Sequence, residues 1–347
     1  MTDPPFLRAC RREPVPFTPI WLMRQAGRYQ PEYRAIREKV SFLQLCKNPE
    51  LAAEVTVMAV DRLGVDAAII FADILLIVEP LGVGLEFSKD DGPLIRRPVR
   101  TAEDVSKLPE ELDIEESVGF VMEAIRRARR ELDSRTPRVP LIGFSGAPFT
   151  LSSYLADGHG TRSYVHTKRL MYREPAAWHA LMGRLSDAVA GYLNAQIAAG
   201  AEAVQLFDSW VGCLGPEDYR VFVQPYTRRT IAAIKPGIPV IHFGTGTATL
   251  LDLMRDAGGD VIGLDWRVDL GEAWQRLGHG VGVQGNLDPV LLLAAEPAEI
   301  RRRAARILEG AAGRPGHIFN LGHGVLVDTP VDNVRGLVDA VHELSAR

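Results

Sequence analysis

The 347-residue chain is 46% hydrophobic and 24% charged, a balance ordinary for a soluble globular enzyme and one that supplies a large apolar core. Its formal net charge of −4 excludes a general nucleic-acid binder, which would show a basic stripe, so any grip on an anionic ligand falls to locally placed arginines. Cys10, Cys46 and Cys213 are odd in number and far apart, which predicts no disulfide framework and a reducing, cytoplasmic home. The absence of a signal-peptide core and of any run of ~18 apolar residues predicts no membrane association.

Short Ile-, Val- and Leu-rich runs alternate with helical patterns along the chain. The first run, Pro19–Met23, is followed by Asn48-Pro49, an N-cap and first-turn proline; Leu51, Val55 and Met58 form the apolar stripe of that helix and Gly64 stops it. The second run, Asp66–Phe71, precedes residues 80–98, which read as a β-hairpin with an Asp-Asp-Gly turn inserted after the second strand. Residues 99–135 are charged and helical. Runs at Val139–Ser145 and Ala201–Asp208 flank a helix from about Pro175 to Ala199 that stops at Gly200. Ile238–Gly244 leads into a helix that begins after Thr245 and ends at Gly258-Gly259. Asp260–Asp265, Val281–Asn286 and His317–Gly322 follow, and Thr329-Pro330 opens a last helix built on Val334, Leu337, Val338 and Val341. Runs that are continuously apolar rather than alternating are how strands buried on both faces of a parallel sheet read. Strand and helix repeated eight times, without a linker or composition shift, predict a single-domain α/β fold, a (β/α)8 TIM-type barrel spanning residues 1–347.

In such a barrel the active site lies at the C-terminal ends of the strands. The polar residues there are Arg24 and Arg28; Asp73; Ser145; Asp208 and Ser209; Gly244 and Thr245; Asp265; Asn286; and His323. Arg24 and Arg28 flank Ala26-Gly27, where the backbone can approach a ligand while two planar guanidiniums reach carboxylates or phosphates; alternatively they are solvated arginines opening a helix at Pro31. Asp73 stands among Phe71, Ile74, Leu75 and Leu76, a setting in which a lone carboxylate is costly, so it needs an ion-pair partner or a catalytic use. Ser209 suits a donor to a carboxylate or a turn cap. His323 stands between Gly322 and Gly324, where a bulky ligand can come close. Tyr154 taken alone reads as a packing aromatic.

Other patterns fail. Gly244-Thr245-Gly246 follows a strand, but Thr249 holds the place of the third glycine of a dinucleotide fingerprint. Gly143-Phe144-Ser145-Gly146-Ala147 lacks the glycine two places after the serine that a nucleophile elbow requires. No Walker loop, no HExxH and no close His/Cys spacing occur, so no metal site is expected.

Pro19-Ile20-Trp21-Leu22-Met23-Arg24-Gln25-Ala26-Gly27-Arg28-Tyr29 and Gly143 through Tyr154 resemble the two signatures of the uroporphyrinogen decarboxylase family. Phe71-Ala72-Asp73-Ile74-Leu75, Phe207-Asp208-Ser209-Trp210, Gln284 through Pro289 and Asn320-Leu321-Gly322-His323-Gly324 fall in the family's order, so the resemblance runs from about residue 5 to 345. Gln30 and Ala156-Asp157-Gly158 depart from the usual pattern without touching a residue named below. The resemblance implies conversion of uroporphyrinogen III to coproporphyrinogen III with loss of four CO2, no metal or organic cofactor, and a homodimer. It implies substrate binding by Arg24, Gln25, Ala26, Gly27, Arg28, Asp73, Tyr154, Ser209 and His323, with Asp73 and Arg28 catalytic. Decarboxylation of an acetate arm needs an electron sink, and a pyrrole protonated on its α-carbon provides one. Asp73 would stabilise the resulting cation and the arginines would hold carboxylate arms. The proton donor stays open, because an arginine with a pKa above about 12 is a poor acid. A corrinoid- or folate-linked methyltransferase is the alternative within the same superfamily, and a non-catalytic tetrapyrrole carrier is the alternative outside enzymology.

Overall fold

The computed structural model describes residues 3–88, 92–161 and 163–347. Its strands are β1 (Ala68–Ile69), β2 (Leu85–Ser88), β3 (Gly92–Ile95), β4 (Leu141–Gly146), β5 (Ala203–Asp208), β6 (Val240–Gly244), β7 (Val261–Gly263), β8 (Gly282–Gln284) and β9 (His317–Ile318). Seven of them form one all-parallel sheet in the order β1-β4-β5-β6-β7-β8-β9, with helices in the crossovers. Every residue of β4, β6, β7, β8 and β9 is buried, which explains why these runs carry no alternation.

The sheet curls. Ala67 beside one edge strand and Ile318 in the other lie in a single apolar cluster with Trp21, Ile142, Ala203, Ile241 and Val261. A flat sheet would hold the two edges far apart. The first apolar run, expected as a strand, contributes only an isolated bridge between Ile20 and Phe319. The cause is local. Pro19 has no N–H, Ile20 N–H donates to the Asp66 carboxylate at 2.7 Å, and Met23 N–H donates to Asn320 Oδ1 at 3.1 Å, so side chains take the place of ladder partners. The Ile20 carbonyl still accepts from Asp66 N–H at 2.8 Å, and Phe319 N–H donates to the Pro19 carbonyl at 2.8 Å.

The helices follow their caps. Pro49–Leu63 begins on Asn48, whose Oδ1 accepts from Glu50 and Leu51 N–H, and ends on Gly64 at φ 70°. Pro175–Ala199 ends at Gly200, and Val331–Ser345 starts after Pro330. The helix after Thr245 is short, Leu251–Ala257, and the charged stretch holds Ala102–Ser106 and Ile114–Asp133. Strands β2 and β3 pair antiparallel, Leu85 opposite Ile95, and Ile95 N–H bonds the Gly158 carbonyl at 2.7 Å. Asp90 and Asp91 of the expected turn lie outside the described residues.

The C-terminal helix ties down the first run through a polar clasp. His342 Nε2 lies 2.7 Å from the same Asp66 Oδ2 that accepts from Ile20, and Thr18 N–H donates to Ser345 Oγ. Although burial opposes it, the hydrogen bond and charge of Asp66 raise His342 above its ordinary 6.5, with Asp339 adding to the same effect. A raised histidine stabilises the fold fully below 6.5 and loses that contribution as pH climbs through the higher folded value. Asp66→Asn keeps an acceptor for Ile20 but drops the charge. The expected outcome is a Tm deficit for this variant that is largest below pH 6.5 and narrows as pH rises; a pH-independent deficit would show that the clasp is not ionic.

Candidate active site

The segment that carries Arg24 and Arg28 is held from beneath. Gln25 is buried, its Oε1 accepting from Leu22 N–H at 3.1 Å and its Nε2 donating to the Ala67 carbonyl at 3.1 Å. Tyr29 OH, also buried, donates to the Gln25 carbonyl at 2.6 Å. These bonds dock residues 22–29 against the start of β1 and leave Arg24 and Arg28 exposed. Arg24 takes a left-handed backbone, φ 61°, which disfavours a branched or bulky residue and marks a position held by its surroundings.

Arg24, Gln25, Ala26, Gly27, Arg28, Asp73, Tyr154, Ser209 and His323 all line one cavity of about 830 Å³ at the C-terminal ends of the strands. The Gln25 side chain spends its amide on the scaffold, so its place in the wall is chiefly that of a strut. Most of the rest of the wall is apolar, including Phe71, Ile74, Phe144, Phe207 and Phe243.

Asp73 stands in that apolar wall. Burial pushes its carboxyl up to about 6, against the opposing influence of the Leu75 N–H, which bonds Oδ1 at 2.9 Å, and of the Arg24 charge. Asp73 therefore ionises near neutrality. His323 is pushed the other way, to about 4, by burial and then by the charges of Arg24 and Arg267. Its Nδ1 accepts from Gly324 N–H at 2.8 Å, so the proton of this neutral ring sits on Nε2. Burial likewise raises the Tyr154 hydroxyl, which stays protonated and able to donate. Arg24 is the common neighbour, its charge felt by Asp73, Tyr154 and His323. A chamber with two exposed guanidiniums, one carboxyl poised near pH 6 and three neutral donors suits a polyanion with an apolar centre.

Six of the strand-end residues named above, Gly244 among them, are not on this cavity. Ser145, Asp208, Asp265 and Asn286 are buried away from it, and Thr245 faces its neighbours. The Ser145 hydroxyl bonds the carbonyl of the next residue at 3.1 Å, while Asp208, Thr245, Asp265 and Asn286 tie neighbouring segments together. Asp208 Oδ1 accepts from Thr150 Oγ1 at 2.9 Å, Thr245 Oγ1 donates to the Ser209 carbonyl, Gly246 N–H donates to Asp265, and Asn286 Nδ2 donates to the Asp265 carbonyl at 2.8 Å. Side chains at a barrel rim point either into the mouth or sideways, and polarity alone does not separate the two.

The cavity also holds residues that the sequence did not single out. Arg37, at the end of the helix Pro31–Arg37, is a third guanidinium, 5.8 Å over the Phe42 ring. Trp210 stacks on Tyr154 with ring centres 3.7 Å apart, and from outside the cavity lining Tyr164 meets Trp210 edge-on. The position of Trp210 directly after Ser209 was the available signal; Arg37 had none. Among the described residues no three His, Cys, Asp or Glu side chains converge as a metal site, and no helix is long and apolar enough to cross a membrane.

The sequence profile of the family "Uroporphyrinogen decarboxylase (URO-D)" matches residues 1–344. The uroporphyrinogen decarboxylase of Carboxydothermus hydrogenoformans is 56% identical over 342 residues, covering 98% of this chain and 96% of that protein. That of Roseiflexus sp. is 53% identical over 352 residues, covering all of both. Among solved structures, a methyltransferase from Methanosarcina mazei superposes with a TM-score of 0.81 at 22% identity, covering 97% of each chain. A vitamin-B12-independent methionine synthase from Listeria monocytogenes gives 0.57 at 14% identity, covering 96% of this chain and 99% of that one. At those identities the two structures share the fold.

Proposed function

The chain belongs to the uroporphyrinogen decarboxylase family, and from that premise we propose how its cavity performs the reaction. The activity is decarboxylation of uroporphyrinogen in haem biosynthesis. One observation carries the assignment of roles: Asp73 stands in the apolar wall of the same cavity that two exposed arginines, Arg24 and Arg28, line.

The substrate is a flexible ring of four pyrroles bearing eight carboxylates. Arg24 and Arg28 hold carboxylate arms by charge-assisted bonds, and Arg28 belongs to the catalytic set because it keeps the reacting ring in register. Tyr154, Ser209 and the Nε2–H of His323 donate to further arms, and the backbone of Gln25, Ala26 and Gly27 lets the ring approach. The phenylalanine wall receives the pyrrole faces.

Asp73 accepts from the pyrrole N–H groups. A proton added to a pyrrole α-carbon makes the ring cationic. The acetate C–C bond then breaks, its electron pair enters the ring, and CO2 departs. The exocyclic methylene takes a proton to become methyl, and the α-carbon returns its own. The net change is one carboxylate and one proton converted to one C–H and one CO2, repeated on four arms. The Asp73 carboxylate lowers the energy of the cation and has less to offer the neutral ring, so its effect falls on the transition state. Because the protonated pyrrole is itself the electron sink, we propose that neither metal nor organic cofactor takes part.

We read the fold as one catalytic domain, a barrel closed at its eighth position by Pro19–Trp21 and carrying β2 and β3 as an insertion. We further propose a homodimer in the cytoplasm. The experiment is anaerobic incubation of metal-stripped protein with reduced uroporphyrinogen III, scoring products by carboxylate number. The four-carboxylate product is expected. Its absence, with stoichiometric zinc on the untreated protein, would favour a methyltransferase instead.

A further inference from the structure

Asp208 is completely buried at the end of β5, one residue before Ser209, and its side chain faces away from the cavity. Its Oδ1 accepts from the buried Thr150 hydroxyl at 2.9 Å, and its Oδ2 has no partner among the described residues. A hydroxyl has one proton. With that proton committed to Asp208, the Thr150 oxygen is left as an acceptor, and Trp210 N–H donates to it at 3.3 Å. One hydroxyl thus pins residues 208 and 210 together, and Ser209 is trapped between the two pins.

Thr150 lies on the helix Pro148–Asp157, four residues before Tyr154, so the same helix that receives the pins presents the tyrosine on which the Trp210 ring stacks at 3.7 Å. The helix start is fixed to the same strand, Ala147 N–H bonding the Phe207 carbonyl at 2.8 Å, and Thr245 holds the Ser209 carbonyl from the other side. We propose that Asp208, acting through Thr150, is a positioning residue that sets Ser209 and the Tyr154–Trp210 stack for the substrate arms. This rests on the reading of Ser209 and Tyr154 as arm contacts. The role asks only for an acceptor oxygen at Oδ1. Burial raises the Asp208 carboxyl to about 7, in keeping with a group that can work uncharged.

The test is a variant series on the full chain, reading KM, kcat and the emission of Trp210, with Trp210→Phe subtracted to isolate that signal. Thr150→Val and Asp208→Leu remove one side of the Asp208–Thr150 bond; each should raise KM roughly three- to tenfold, the worth of one buried hydrogen bond, and move the Trp210 emission. The effect on kcat should stay within about twofold. Asp208→Asn, which keeps the acceptor oxygen, and Thr150→Ser, which keeps the hydroxyl, should restore both readouts. The double variant Asp208→Leu/Thr150→Val replaces both partners with apolar groups of similar size, is closest to neutral for folding, and serves if either single variant is not recovered folded. A soluble Thr150→Val or double variant with wild-type KM and emission overturns the inference, as does an Asp208→Asn as impaired as Asp208→Leu. Ser209→Ala separates the two levels. If its KM is that of the wild type, the arm role of Ser209 fails and the inference falls with it; if its KM rises while that of Thr150→Val does not, the inference alone falls.

Discussion

Asp73→Asn should lose CO2 release by ~10²- to 10³-fold in kcat, the range found when one preorganised electrostatic partner of a developing charge is removed, while KM changes little. The asymmetry follows from when the carboxylate matters. An uncharged pyrrole gains only a hydrogen bond from Asp73, which an amide oxygen can still accept. A pyrrole protonated on carbon gains the attraction of a full negative charge in an apolar wall, which the amide cannot supply. Wild-type activity should fall as pH drops through about 6, where Asp73 takes up its proton, and the residual activity of the variant should lack that limb. Stability should move the other way. A carboxyl whose folded value is raised from 3.8 to about 6 costs the fold stability once pH exceeds that interval, because the folded state resists ionising it. Replacing it by Asn removes that cost, so the Tm at pH 7 should match or exceed that of the wild type. Unchanged CO2 release by Asp73→Asn would remove Asp73 from the mechanism and revive a carrier function for the cavity.

The parts of the fold legible in the sequence were those set by local physics. Continuous apolar runs marked seven parallel strands because both faces of each are covered, and Asn48, Gly64 and Gly200 marked helix ends because only certain residues cap cheaply there. Pro19–Met23 looked like the other runs, but its Ile20 and Met23 N–H groups donate to the side chains of Asp66 and Asn320, partners distant in sequence that no local pattern reveals. The site divides similarly. Arg24, Asp73, Ser209 and His323 were reached from strand-end position, and Tyr154 only through family resemblance, since nothing in an isolated aromatic tells packing from binding. Asp208 and Asp265 passed the same positional filter as Asp73 and Ser209 yet belong to the belt beneath the cavity. Successive side chains along a strand point to opposite faces, so Asp208 turns toward Thr150 while Ser209, the next residue, lines the cavity.

Arg24→Ala should raise KM for uroporphyrinogen roughly ten- to a hundredfold, the worth of a charge-assisted bond to a carboxylate arm, and Arg24→Lys should recover only part because an ammonium cannot form the paired fork. The structure offers a second route to the same loss that leaves Arg24 in place. A Cβ built on Gly324 would sit 2.4 Å from Arg24 Cδ, 2.6 Å from Cγ and 3.1 Å from Cβ, so the whole stem, rather than a flexible tip, stands in its way. Gly324→Ala should therefore swing the guanidinium off its arm and raise KM in the same direction as Arg24→Ala. Because both substitutions remove one interaction, the double variant should be no worse than Arg24→Ala alone. The backbone adds an independent check. A left-handed residue other than glycine costs ~1–2 kcal/mol, so Arg24→Gly relieves strain that Arg24→Ala retains, and its Tm should exceed that of Arg24→Ala although binding is lost in both. Additive KM effects in the double variant would place Gly324 in contact with the substrate itself; a wild-type KM for Gly324→Ala would show that Arg24 does not need its present position to hold the arm.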